Sequence, residues 1–91
     1  PYYGLEAHAS NSLIADGCKI EGEVDHCVIF RGVTVEKGAR LSHCILMQGT
    51  KVGAGATLQY AITDKNVRIN PGRMLMGHET YPIAIAKDSQ V

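Results

Sequence analysis

The sequence has no Trp, one Phe and four Tyr among 91 residues. Aromatic rings therefore cannot dominate its core, and Val, Ile, Leu and small residues must fill it. It has no excess charge: nine Lys and Arg balance nine Asp and Glu, and no basic run occurs. That removes the clustered Lys and Arg on which nucleic-acid or polyanion binding depends. No apolar run approaches the roughly twenty residues of a membrane span. A secretory signal pattern is also missing. The chain opens on Pro1 rather than Met, which fits a mature end or a fragment. Three Cys make an odd number without a disulfide-framework spacing, so reduced thiols in the cytoplasm are expected.

What the chain does have is Gly, ten residues of it, and a hydrophobic share of 45%, enough for a globular domain. We read residues 1–91 as one small domain with a modest core.

A repeat organises it. Rows of 17 residues begin at Val24, Leu41 and Leu58: VDHCVIFRGVTVEKGAR, LSHCILMQGTKVGAGAT and LQYAITDKNVRINPGRM. Leu75 opens the next. An upstream row from Ala9, ASNSLIADGCKIEGE, is two residues short near Gly22 and Glu23. The columns match chemically. Row starts are Ala9, Val24, Leu41 and Leu58. A small column holds Ser12, Cys27, Cys44 and Ala61. Aliphatic columns hold Ile14, Ile29, Leu46 (then Thr63) and Ile20, Val35, Val52, Ile69. A second small column, Ala39 and Ala56, is broken by Arg73.

Two columns are nearly pure glycine: Gly17, Gly32, Gly49, Asn66, and Gly38, Gly55, Gly72. Gly tolerates positive φ, and Asn is its usual substitute there, so these columns mark corners. Gly at such intervals would cost a helix about 1 kcal/mol each. The expectation is three short strands and three corners per row, with rows stacked in parallel about 4.8 Å apart. Four rows plus the ends give a prism roughly 20 Å tall by that spacing. The spacing of six in Ile29, Val35, Leu41 and in Leu46, Val52, Leu58 resembles the hexapeptide repeat. General crossover geometry favours right-handed connections; the resemblance implies a left-handed coil. The fold class expected is all-β: a single-stranded left-handed parallel β-helix of about four coils. Residues 1–8 lead in, 9–75 form the coils and 76–91 form a C-terminal cap or tail.

Side chains alternate along a strand. With Cys27 and Ile29 inward, Leu13, Val28, Ile45 and Ile62 form an apolar ladder on the outside, flanked by Phe30 and Met47. Thr34, Glu36, Lys51 and Arg68 face solvent elsewhere. Such a ladder suggests an interface between domains or subunits. The competing reading is coverage by the chain's own ends, PYYG or YPIAIAKDSQV.

Chemistry is harder to find. His26-Cys27 and His43-Cys44 recur 17 apart, yet adjacent residues facing opposite ways cannot converge on one zinc ion. We expect no metal site, and Cys18, Cys27 and Cys44 as reduced core thiols. His8, His26, His43 and His78 lack a partnering nucleophile and read as solvated corner residues. GAGAT at 53–57 is a corner rather than a phosphate loop, and Asp64-Lys65-Asn66 is another exposed corner. No catalytic, cofactor or metal residue is assigned.

The rows from Asn11 to Ala39 and from Ile45 to Gly72 resemble the C-terminal β-helix domain of the glucose-1-phosphate adenylyltransferase (ADP-glucose pyrophosphorylase) family. PYYG, EGEV and MGHETYPIAI are most similar to a variant subunit of that family. The resemblance implies a longer parent chain with an N-terminal nucleotidyltransferase domain. That domain makes ADP-glucose and pyrophosphate from ATP and glucose 1-phosphate with Mg; none of its motifs is here. It implies that the β-helix packs on that domain, helps build homo- or hetero-oligomers with a catalytic subunit, and takes part in allosteric control in bacterial glycogen biosynthesis. The segment after Gly77 has only Lys87 and no Arg, which fits a subunit that modulates a partner rather than one that binds effectors here. The alternative is a hexapeptide-class acyltransferase, which needs a His on a loop leaving the coil.

Overall fold

The computed structural model describes residues 1–91. It contains no helix. Fifteen strands of two or three residues wind through three parallel five-stranded sheets. The lead-in supplies β1 (Tyr2–Tyr3). The row from Ala9 supplies β2 (His8–Ser10), β3 (Leu13–Ile14) and β4 (Lys19–Ile20). The row from Val24 supplies β5 (Glu23–Asp25), β6 (Val28–Ile29) and β7 (Thr34–Val35). The row from Leu41 supplies β8 (Arg40–Ser42), β9 (Ile45–Leu46) and β10 (Lys51–Val52). The row from Leu58 supplies β11 (Thr57–Gln59), β12 (Ala61–Thr63) and β13 (Arg68–Ile69). Then come β14 (Met74–Met76) and β15 (Ile83–Ile85). Every third strand shares a sheet. Sheet one is β1-β4-β7-β10-β13, sheet two β2-β5-β8-β11-β14 and sheet three β3-β6-β9-β12-β15. The chain is a β-solenoid whose sequence rows are its coils.

The registers carry the repeat. Lys51 lies over Thr34 and under Arg68, a step of 17 each way. The step is 15 between the first and second rows, where His8 pairs with Glu23 and Leu13 with Val28. The deficit sits at one corner. Glu21 and Gly22 replace the four residues that turn the later coils, such as Glu36–Ala39. Gly22 is buried, and a Cβ there would sit 2.9 Å from the Glu36 carbonyl oxygen and closer still to that of Ala39. Only Gly lets the shortened corner draw in this far. Lys37 and Glu6 reach across the gap outside it, 3.9 Å apart.

The C-terminal tail pairs with the preceding coil. Ile62 pairs with Ala84 and Arg68 bridges Gln90, both steps of 22. Residues 77–82 insert five residues at one corner, and the 17-residue coil resumes after them. Asp88, at φ 62°, continues the column of Gly17, Gly32, Gly49 and Asn66, which all have positive φ. With β1 at the other end, each sheet is five strands tall, about 20 Å at strand spacing, and the longest extent of the whole molecule is 32 Å.

Val24, Leu41 and Leu58 line one wall of the core. Ile20, Val35, Val52 and Ile69 line another, and Ile29, Leu46 and Thr63 the third; all are buried. Ala9, placed in the first of these columns, is exposed on β2, the edge strand of sheet two. Gly38, Gly55 and Gly72 adopt positive φ at the second corner, as their column implies. The third corner is left-handed too, though it holds no glycine: Asn11, His26, His43 and Tyr60 have φ between 51° and 53°.

Candidate interface

Side-chain alternation gives each sheet one outward ladder, and the three differ in chemistry. Sheet one presents Tyr2, Lys19, Thr34, Lys51 and Arg68. Sheet two presents His8, Glu23, Arg40 and Thr57 beside Ser10, Asp25, Ser42 and Gln59, turning apolar only at Met74 and Met76. Sheet three presents Leu13, Val28, Ile45, Ile62 and Ala84 in direct register. Leu13 is 72% exposed, Phe30 43%, Val28 38% and Ile45 36%. Ile62 and Met47 are half-buried. Leu13, Val28 and Phe30 border a shallow groove closed by Arg31 and Gln48.

The chain's ends do not cover this ladder. β1 stacks on β4 in sheet one, and β15 extends sheet three as a further rung. A methyl group of Ala84 continues the apolar row instead of hiding it.

The histidines are placed differently from one another. His8 is exposed within β2, not at a corner. His26 and His43 stack with ring centroids 4.8 Å apart and planes within 5°, and Tyr60 stacks on His43 at 4.8 Å. His26 and His43 are exposed at the corner, as expected, and with Tyr60 they also form a stacked column. The signal for it was present: a 17-residue step from His to His to Tyr at a corner. Asp25 contacts Nδ1 of His26 at 2.8 Å, and Ser42 Oγ lies 2.8 Å from Nδ1 of His43. His26 holds the Asp25 carboxyl at about 2, below the ordinary 3.8, helped by hydrogen bonds from Ser10 and Asn11. His78 lies in the inserted corner, its Nδ1 3.1 Å from Thr80 Oγ1.

Cys18, Cys27 and Cys44 are buried and free. The Cys44 amide donates to Cys27 Sγ at 3.4 Å, one rung below. The neighbouring Cys44 thiol, and burial after it, push the Cys27 thiol up. His26 and His43 point outward while Cys27 and Cys44 point in. No three His, Cys, Asp or Glu side chains converge. The residues brought together are thus an apolar outer ladder, a ring stack and a set of core thiols.

The chain matches the family model described as GlmU-like, C-terminal hexapeptide, over residues 3–81. Glycogen biosynthesis protein GlgD of Bacillus subtilis (strain 168) is 51% identical over 39 residues, 43% of this chain and 11% of that protein. Glucose-1-phosphate adenylyltransferase of Bacillus cereus (strain Q1) is 53% identical over 38 residues, 42% of this chain and 10% of that protein. The enzyme of the same name from Bacillus thuringiensis (strain Al Hakam) matches to the same extent. The matched segment thus spans about a tenth of the length of these relatives. With its glycine-cornered coils and a family match across residues 3–81, the chain belongs to the GlmU-like C-terminal hexapeptide family.

Proposed function

We propose that this chain is the C-terminal oligomerisation and regulatory domain of a glucose-1-phosphate adenylyltransferase-type subunit in glycogen biosynthesis, working in the cytoplasm. The observation that carries the reading is the contrast between faces: one ladder is apolar from Leu13 to Ala84 while the others are largely polar. The names of the relatives supply the pathway. Five rungs at strand spacing, three residues wide, make a patch on the order of 200–300 Å². A free-standing dimer buries about 800 Å² per partner. A patch this small fits a contact strengthened by tethering, which points to the nucleotidyltransferase domain of the same parent chain as its first occupant. Homo- or hetero-oligomers with a catalytic subunit would build on that packing. ATP and Mg would be held by that other domain; no residue here is given a role toward them.

The test uses the full-length subunit carrying Val28→Ser, Ile45→Ser and Ile62→Ser together. It is co-expressed with its catalytic partner and assayed for ADP-glucose formation and for size by sedimentation. We expect weakened assembly and altered activity, with the far-ultraviolet β signal intact. Wild-type assembly and wild-type activity in the triple variant would overturn the reading.

A further inference from the structure

The corner between sheets two and three holds two exposed histidines in the middle of the stack, His26 and His43, one coil apart. Their rings stack at 4.8 Å with planes within 5°. Each ring is anchored in the same way by the residue before it. Nδ1 of His26 lies 2.8 Å from the Asp25 carboxylate, and Nδ1 of His43 lies 2.8 Å from Ser42 Oγ. Asp25 and Ser42 are themselves paired in register, β5 against β8. A carboxylate only accepts, so Nδ1 of a neutral His26 carries the proton and Nε2 keeps its lone pair. Ser42 Oγ can accept from Nδ1 of His43 in the same manner. Neither Nε2 has a hydrogen-bond partner in the protein. Two imidazole nitrogens are thus presented outward on successive coils, each with the other ring nitrogen held by an oxygen. Metal-ligating histidines are oriented by the same kind of contact.

We propose that His26 and His43 together bind one divalent transition-metal ion of the kind that favours imidazole, Zn2+, Ni2+ or Cu2+, through their Nε2 atoms. The expectation of no metal site paired each histidine with its neighbouring cysteine, and Cys27 and Cys44 do point into the core. The two histidines alone share a side. No third His, Cys, Asp or Glu joins them, so water completes the coordination and the site stays open. Stacked rings aim both lone pairs the same way, and the pair must close on the ion. Bonds of about 2.0–2.1 Å place the two nitrogens about 3–4 Å apart. Tilting one exposed ring out of the stack supplies that movement. Bound there, the ion ties the coil from Val24 to the coil from Leu41. It leaves the sheet-three ladder untouched, so this site is independent of the packing role assigned to that face.

The test is titration of the 91-residue chain with Ni2+, followed by calorimetry and by NMR of the ring protons. We expect one ion per chain, with the ring signals of His26, His43 and the stacked Tyr60 broadened before those of His8 and His78. The melting temperature should rise with Ni2+ and fall back with a chelator, because the ion binds the folded pair. Both histidines hold left-handed backbone, which Asn tolerates best and which Asn11 already adopts in the same column. His26→Asn and His43→Asn therefore keep the corner, and an unchanged far-ultraviolet spectrum checks this. Each should weaken Ni2+ binding by about ten-fold or more, since losing even an outer contact to a ligand costs that much. His8→Asn and His78→Asn should bind as the wild type does. Absence of binding, two ions bound independently by the two histidines, or equal broadening at His8 and His78 would each overturn the proposal.

Discussion

Thr50 and Thr63 meet inside the solenoid, their hydroxyls 3.0 Å apart and both side chains fully buried. Each puts a hydroxyl where the coil before has an aliphatic side chain: Thr50 follows Val33, and Thr63 follows Leu46. Thr50 also donates to the Asp64 carbonyl at 3.2 Å, so its proton is spoken for and Thr63 donates to Thr50. No buried side-chain N or O is left without a partner.

The order of those bonds makes the two valine variants unequal. Thr63→Val leaves Thr50 bonded to Asp64 and should cost about 0.5–1.5 kcal/mol, the worth of one hydrogen bond. Thr50→Val strands the Thr63 hydroxyl in the core and should cost about 1–3 kcal/mol. The double variant replaces both groups by apolar ones of the same shape. It should be less destabilised than the sum of the singles. Urea unfolding of the three proteins checks this, and additive costs would show that the pair does not act as a unit.

Asp25 gives a pH dependence with a definite sign. Its folded value, about 2, lies below the ordinary 3.8, with His26 the largest cause and Ser10 and Asn11 next. A depressed acid stabilises the fold above its unfolded value and loses that contribution as pH falls through its folded value. The contribution of Asp25 should therefore be complete above about pH 4 and fade between there and about pH 2. In Asp25→Asn this part of the stability profile should flatten. Carboxyl chemical shifts followed by NMR give the titration directly. A midpoint near the ordinary carboxylate value would disprove the His26 contact as placed.

Much of this architecture was legible because the repeat exposes physical constraints column by column. Gly17, Gly32, Gly49 and Asn66 gave a corner by residue type alone, and Val24, Leu41 and Leu58 gave a wall. The outward ladder from Leu13 to Ile62 followed from strand alternation. Two features stayed hidden for stated reasons. His26, His43 and Tyr60 hold left-handed backbone without being Gly or, Asn11 apart, Asn, so residue type gave no sign of the strain. Ring stacking along the column accompanies it, and its one trace in the sequence is the 17-residue step from His26 to His43 to Tyr60. The last coil was concealed by the five residues inserted after Gly77. They shift the register from 17 to 22, so Ile83, Ala84 and Ile85 no longer fell under Ala61, Ile62 and Thr63.

The shortened corner offers the sharpest test of how the first row joins the second. Gly55 turns at φ 71° with nothing within 4 Å of a would-be Cβ. Gly55→Ala meets only the left-handed backbone penalty, about 1–2 kcal/mol, and Gly55→Asn should cost less. Gly22 is the reverse case. Its φ carries no such penalty, but a Cβ would press on the backbone of Glu36 and Ala39, which cannot swing away as a side chain would. Gly22→Ala should therefore cost about 3 kcal/mol or more, at the upper end of overpacking effects. Asn should give no relief there, unlike at position 55. The loss should also loosen the first coil selectively, because the second coil reaches the first through this corner. Hydrogen exchange of His8, whose amide donates to Gly22 at 3.0 Å, should rise well before that of Lys51, in the middle of the stack. Equal costs for Gly22→Ala and Gly55→Ala would mean that the corner has slack and that the two-residue deficit is absorbed elsewhere.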